Sequence, residues 1–300
     1  MVSNVKARSY GVDVANYQST NVSYPNTKFV LVKLTEGQSY INSKAAAQIR
    51  SAKKHDLLVM GYFFATFGYS NSRAQKEATY ACQKAKELGI PAGSYIACDW
   101  ETGDGNNVNG GQIASAKAII AALEVISSHG YKPLFYSSAS LMRTNVATDK
   151  IVKQFGTCLW IAAYPISGAT YKPLFAYFPS RDGIAIWQFT DNYHGLRVDG
   201  NISLIDLQVD EKRSTNSKTE SKSTWHKKTG IFILNQTLAL HTSPHVSAPA
   251  IAKLPRGSAI EYDATLQGPL RLWLRQPRSN DTYGYIVAKD RFGKTLGKFV

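Results

Sequence analysis

The 300-residue sequence predicts an α/β fold, a strand barrel with fewer than eight helices, joined to a small all-β domain. Three observations predict it. Before residue 210, apolar runs rich in Val, Ile, Phe and Tyr alternate with stretches of helical spacing. From 211 to 224 the chain has no large apolar residue and consists almost wholly of Ser, Thr, Lys and Glu. Such a stretch cannot bury a face and reads as a flexible linker. After 225, short alternating runs are punctuated by Pro, Gly and Asn, the pattern of a small β domain of roughly 75 residues. The expected division is 1–210, 211–224 and 225–300.

The barrel strands are expected at Tyr10–Val14, Phe29–Leu34, Leu57–Ala65, Ser94–Trp100, Pro133–Ser137, Cys158–Tyr164, Ile184–Phe189 and Leu204–Val209. Near-continuous apolar composition is what strands covered on both faces require. Helices are expected at Ser43–His55, at Arg73–Leu88, which follows Asn71-Ser72 and stops at Gly89, and at Gln112–His129, which stops at Gly130. Between Tyr164 and Ile184 lie three prolines and two glycines, so no helix fits there. The result is an irregular TIM-like (β/α) barrel. In the tail, strands are expected at Gly230–Leu234, Thr237–His241, Ala250–Leu254, Ala259–Tyr262, Leu270–Leu274 and Tyr283–Val287.

Composition narrows the function. Cys82, Cys98 and Cys158 are odd in number and far apart, so neither a disulfide framework nor a Cys-x-x-Cys zinc site is expected. The formal net charge is +14, and it is uneven: residues 211–300 carry 15 basic and 6 acidic residues, against 20 and 15 in residues 1–210. A basic tail suits an anionic partner. No apolar run reaches a membrane-spanning length, so no membrane insertion is expected. Met1–Arg8 runs directly into Ser9-Tyr10-Gly11-Val12-Asp13, without the apolar core of a secretory signal. There is no phosphate loop, dinucleotide motif or nucleophile elbow, and no cofactor or metal is expected.

The sharpest chemical signal is Tyr95-Ile96-Ala97-Cys98-Asp99-Trp100-Glu101. Side chains alternate along a strand, so Asp99 and Glu101 face the same way, roughly 6.6 Å apart along it. They stand at the C-terminal end of a barrel strand, where such barrels keep their active sites. Glycosidic cleavage needs one protonated and one ionised carboxyl group, and neighbouring carboxylates raise one another's pKa. Asp13 and Asp206 lie within apolar strands, where a carboxylate is expensive unless used or paired, and Glu36 follows the second strand. Aromatics crowd the same strand ends; Tyr62, Trp100, Tyr164 and Trp187, with Gln188, are the candidate sugar contacts.

In order along the chain, Tyr10-Gly11-Val12-Asp13-Val14, Val32-Lys33-Leu34-Thr35-Glu36-Gly37, Gly61-Tyr62-Phe63, Asp99-Trp100-Glu101, Leu159–Tyr164, Ile186-Trp187-Gln188-Phe189 and Ile205-Asp206-Leu207 resemble glycoside hydrolase family 25, the bacterial and phage N,O-diacetylmuramidases. The resemblance covers roughly residues 9–210. It implies cleavage of the β-1,4 bond between N-acetylmuramic acid and N-acetylglucosamine in peptidoglycan. Glu101 would be the general acid/base. Asp99 would either steer the substrate's 2-acetamido group as internal nucleophile or stabilise the oxocarbenium-like centre, and Asp13 and Asp206 would line the same cleft. The tail, through Gly230–Asn235, Ser247–Ala252, Gly257–Asp263 and Leu272-Trp273-Leu274, resembles a bacterial SH3-type wall-binding domain. Together these imply a phage or prophage endolysin. It would be made in the host cytoplasm and would act on the cell wall after holin-assisted release. Its tail would hold teichoic acid or stem peptide. The rival readings are a hydrolase of another polysaccharide such as chitin, and a non-catalytic wall binder. Nucleic acid is not an expected partner, because the tail lacks interleaved basic and aromatic residues.

Overall fold

The computed structural model describes residues 2–103, 105–165, 168–209, 225–244, 246, 248–268, 271–279, 282–290 and 293–300. The expected linker at 211–224 lies outside them. The chain divides into two compact units, Met1–Ser214 and Thr215–Val300.

The first unit runs β1 (Asn4–Val5), β2 (Tyr10–Val14), β3 (Thr27–Glu36), β4 (Tyr40–Ile41), α1 (Ala45–Lys54), β5 (Leu58–Phe64), α2 (Asn71–Glu87), β6 (Tyr95–Asp99), α3 (Gln112–Ser128), β7 (Lys132–Ser138), α4 (Ala139–Thr144), α5 (Thr148–Phe155), β8 (Leu159–Ala162), β9 (Ile184–Thr190), β10 (Asp199–Ser203) and β11 (Leu207–Gln208). Eight strands in the order β2-β10-β9-β8-β7-β6-β5-β3 close on themselves where β2 pairs with β3. Seven of them run parallel to one another; β10 is antiparallel to both its neighbours, β2 and β9.

The pleat divides each strand between two cores. Phe29, Leu31, Met60, Tyr62, Leu134 and Trp160 point into the barrel. Val30, Val32, Phe63, Phe135, Ile161 and Trp187 point out, where the helices cover them. This double burial is why the strands read as unbroken apolar runs. Gly11 shows how tightly the interior is filled: a Cβ there would stand 2.2 Å from the Phe29 ring.

The three expected helices are present within a residue or two, and α4 and α5 are additional. Between Tyr164 and Ile184 the only helical feature among the described residues is a 3-10 turn at Phe175–Tyr177. The three cysteines are buried and free, and burial pushes the Cys82 and Cys158 thiols up to about 12.

The eighth strand is a correction. It is Asp199–Ser203, not Leu204–Val209. The chain between Thr190 and Asp199 holds no helix, and so short a return leaves only an antiparallel strand. The apolar run that follows has another task. Leu207–Gln208 pairs with Asn4–Val5, and Val5, Leu207 and Val209 join the inner core. They plug the end of the barrel at which the parallel strands begin.

The second unit runs β12 (His226–Leu234), β13 (Leu238–His241), β14 (Ala250–Leu254), β15 (Ala259–Gln267), β16 (Leu272–Pro277), β17 (Tyr283–Lys289) and β18 (Gly297–Phe299). They form one antiparallel sheet in the order β14-β13-β17-β16-β15-β12-β18. Phe232, Leu240, Ile260, Leu274 and Ile286 make its core. Trp273 is buried beside Leu266, Val287 and Leu296, a packing role. Among the described residues, no helix is long and apolar enough to cross a membrane.

Candidate active site

The inward positions of the strands change character at one end of the barrel. Below lie Phe29, Leu31 and Met60; above them the same pleat presents Asp13 on β2, Asp99 on β6, Gln188 on β9, and Asp199 and Asn201 on β10. Asp199 stands directly opposite Asp13 in the antiparallel register. Asp13 Oδ2 accepts from Asn201 Nδ2 at 2.7 Å and Gln188 Nε2 at 3.0 Å. Gln188 Nε2 also lies 3.4 Å from Asp199 Oδ2, and Gln188 Oε1 accepts from the Tyr136 hydroxyl at 2.9 Å. Asn201 Oδ1 in turn accepts from the Trp160 indole at 2.7 Å. Every amide atom here has a partner that fixes its orientation, so the network is rigid.

Glu101 sits one residue beyond Trp100, at the mouth. Its carbonyl accepts from Asn106 Nδ2 at 2.7 Å, and Asn106 Oδ1 accepts from the Gly68 amide at 2.8 Å. Gly103 keeps the following turn close, because a Cβ there would lie 2.4 Å from the Phe64 ring. Trp100 anchors the strand end from outside by donating to the Gly68 carbonyl at 2.8 Å.

The carboxyl groups hold their protons unusually well. Burial, then the Asp13 charge, raise Glu101 to about 7, while Lys33 opposes. Asp99 is raised well above its ordinary value by burial first and Glu101 second, again against Lys33. Asp199 is raised to about 10 by burial and by Asp13, to which it hydrogen-bonds. Asp13 is raised by burial, with Asn201 and Gln188 opposing. One oxygen, Asp99 Oδ1, is buried with no hydrogen-bond partner among the described residues. Lys33, the nearby cation, pairs with Glu36 at 2.8 Å and lies over the Phe64 ring at 4.9 Å. At this mouth the arrangement can deliver a proton near neutral pH and offer a dry carboxyl oxygen as acceptor.

Several expected site residues are elsewhere. Asp206 is exposed at the plugged end, where it accepts from Lys6 Nζ and the Ala7 amide, both at 2.9 Å. Trp100 and Trp187 are fully buried in the outer core, and the Trp187 indole donates to the Ala163 carbonyl at 2.8 Å. Neither ring can meet a sugar in the barrel mouth: odd and even positions of a strand face opposite ways, and both belong to the outward set. Tyr62 is inward, edge-on to Trp160 at 5.8 Å. Tyr164 is half-buried near Asp199, Asp13 and Glu101, and burial followed by those charges raises its hydroxyl strongly. Sequence reasoning missed Asp199, Asn201 and Lys33. The available signal was Val198-Asp199-Gly200-Asn201-Ile202, with polar groups on alternate positions of an otherwise apolar strand.

Comparison with known proteins agrees with this geometry. The profile of glycosyl hydrolases family 25 matches residues 12–196. The chain belongs to glycosyl hydrolase family 25. The lysozyme of Lactococcus phage mv1 is 38% identical over 174 residues, 57% of this chain and 86% of that protein. The lysozyme of Streptococcus phage Cp-1 is 30% identical over 240 residues, 77% of this chain and 65% of that protein. In fold, this family 25 hydrolase is similar to the Cpl-1 endolysin of phage Cp-1 complexed with a peptidoglycan analogue. That match has a TM-score of 0.57 and 23% identity over 93% of this chain and 77% of the other. A muramidase from Trichobolus zukalii aligns with a TM-score of 0.50 and 23% identity, covering 65% of this chain and 93% of its own. The family 25 chain is thus a peptidoglycan-hydrolysing glycosidase of the phage endolysin type.

Proposed function

We propose that the chain cleaves the β-1,4 bond between N-acetylmuramic acid and N-acetylglucosamine with Glu101 as general acid and then general base. The observation that carries this is the proton that Glu101 keeps up to about 7 at the mouth of a cluster in which two other carboxyl groups, Asp13 and Asp99, are buried. Glu101 donates that proton to the glycosidic oxygen as the bond to the muramic acid C1 breaks. Asp99 Oδ1 accepts from the N–H of the 2-acetamido group and so holds that group beside the developing positive charge. Water then adds to C1 and gives its proton to Glu101. Asp13, Asp199, Gln188 and Asn201 keep the wall of the cleft in register. Mass spectrometry of fragments from purified cell wall tests this: new reducing ends belong to N-acetylmuramic acid. Reducing ends on N-acetylglucosamine, or only free peptide amines, would overturn it.

The second unit acts as the wall anchor on this reading. Its support is charge, with 15 basic and 6 acidic residues in 211–300, and anionic teichoic acid is the expected ligand. The chain is made in the host cytoplasm and reaches the wall after holin-assisted release. Residues 225–300 fused to a fluorescent protein should decorate Gram-positive walls, less so as salt rises. No binding at low salt would overturn the anchor role.

A further inference from the structure

Outside the barrel mouth, a cleft of about 540 Å³ lies between α4–α5 and the segment joining β8 to β9. One side is formed by Met142, Arg143 and Asp149, the other by Tyr177, Arg181 and Asp182. The segment is seated by Trp187, against whose ring Phe178 packs at 5.3 Å and Phe175 at 5.7 Å. That seating leaves Phe175 71% and Tyr177 47% exposed, a concentration of apolar surface that a buried core does not explain.

The polar groups of the cleft are incompletely matched. Arg181 pairs with Asp149 at 2.8 Å and donates to the Met142 carbonyl at 3.3 Å, but its Nε is buried with no acceptor among the described residues. Arg143 has no acidic partner among the described residues. A ligand with acceptor oxygens would satisfy both guanidinium groups. Two arginines and two aspartates also make the cleft charge-balanced, which favours a ligand carrying both signs over a polyanion.

Position identifies the source of such a ligand. Ala163 lines this cleft, and the next residue, Tyr164, stands among the acids of the mouth. One strand end therefore separates the two, and a chain of a few residues, at about 3.3–3.6 Å each, bridges them. We propose that this cleft holds the stem peptide carried by the muramic acid of the strand being cut, its carboxylate and carbonyl oxygens on Arg143 and Arg181 and its aliphatic part on Tyr177. The proposal rests on the muramidase reading above.

The test uses the full chain and two soluble substrates: glycan strands bearing their stem peptides, and the same strands after an amidase has removed them. Arg143→Ala and Tyr177→Ala should each raise KM about tenfold on the peptide-bearing strands, with kcat within twofold. On the stripped strands both variants should match the parent, and Arg143→Lys should recover part of the loss. Equal losses on both substrates, or no loss on either, would overturn the peptide site. If the parent enzyme instead yields no muramic acid reducing ends from either substrate, the muramidase reading fails first. Melting temperatures equal to the parent's would exclude misfolding as the cause of any loss.

Discussion

The two ends of the barrel treat the same residue in opposite ways. Val12-Asp13-Val14 and Ile205-Asp206-Leu207 read alike, yet Asp13 is buried with its pKa raised and Asp206 is exposed with its pKa lowered. Burial governs the first; hydrogen bonds from the Ala7 amide and Lys6 govern the second. At the mouth, carboxyl groups are desolvated together and keep protons that water would remove. At the plugged end, a carboxylate keeps its charge and ties the chain before β11 to the chain after β1. A carboxylate in an apolar run thus signals a constraint, but only the topology tells whether the constraint is chemical or structural.

The largest effect separating the two ends is expected at Glu101. Glu101→Gln should reduce wall hydrolysis at least 10³-fold, on the order that loss of a general acid allows. The same change should raise the melting temperature at pH 8. Glu101 is ionised above about 4.5 when unfolded but only above about 7 when folded, so the folded state loses stability as pH rises between those values. A glutamine removes that loss, and at pH 4 the two proteins should melt together. An active Glu101→Gln enzyme would sink the mechanism.

Next in size is Asp199. Raised to about 10, it is protonated at neutral pH and donates to Asp13. Asn supplies a donor of similar shape, so Asp199→Asn should cost about tenfold in kcat/KM. Asp199→Ala leaves Asp13 and Gln188 short of a partner and should cost on the order of 10²-fold. Equal losses in the two variants would show that a charge, not a donated proton, is required at 199. The parent's kcat/KM should also fall as pH rises through about 7, because the acid form of Glu101 is then lost. A profile flat from pH 6 to 8.5 would contradict that assignment.

Much of this was legible in the sequence. Seven of the eight barrel strands follow from their apolar runs, the placing of Asp99 and Glu101 on one face from period-2 alternation, and the three long helices from their spacing, two of them with glycine stops. What escaped did so for two physical reasons. The eighth strand is antiparallel and carries Asp199, Asn201 and Ser203, so it lacks the apolar run by which the others are recognised. Trp100 and Trp187 are large aromatics beside candidate site positions, but sidedness is set by one residue of pleat, and both fall on the covered face. Trp160 falls on the inner face, one hydrogen bond from Asn201. Trp160→Phe should therefore reduce turnover more than it reduces stability, and Trp187→Phe the reverse, as judged by kcat/KM and melting temperature on each.

The smallest effect is expected at Asp206, and it completes the contrast. Its carboxylate lies at the plugged end with Lys6 and the Ala7 amide, away from the acids of the mouth. Asp206→Asn should leave kcat/KM within twofold. Its folded pKa is lowered below the ordinary 3.8, so whatever stability the charge contributes is present above the unfolded pKa and lost as pH falls through the folded one. The pair is exposed, where ion pairs contribute little. The melting temperature of Asp206→Asn should fall by no more than a degree or so at pH 7, on the order expected for a weak surface pair. That gap should close as pH falls through the lowered folded pKa, where the native carboxylate is itself neutralised. It should also have the opposite sign to the gap for Glu101→Gln at pH 8. A large activity loss in Asp206→Asn would mean that the two ends of the barrel are not chemically separate, and would return Asp206 to the cleft.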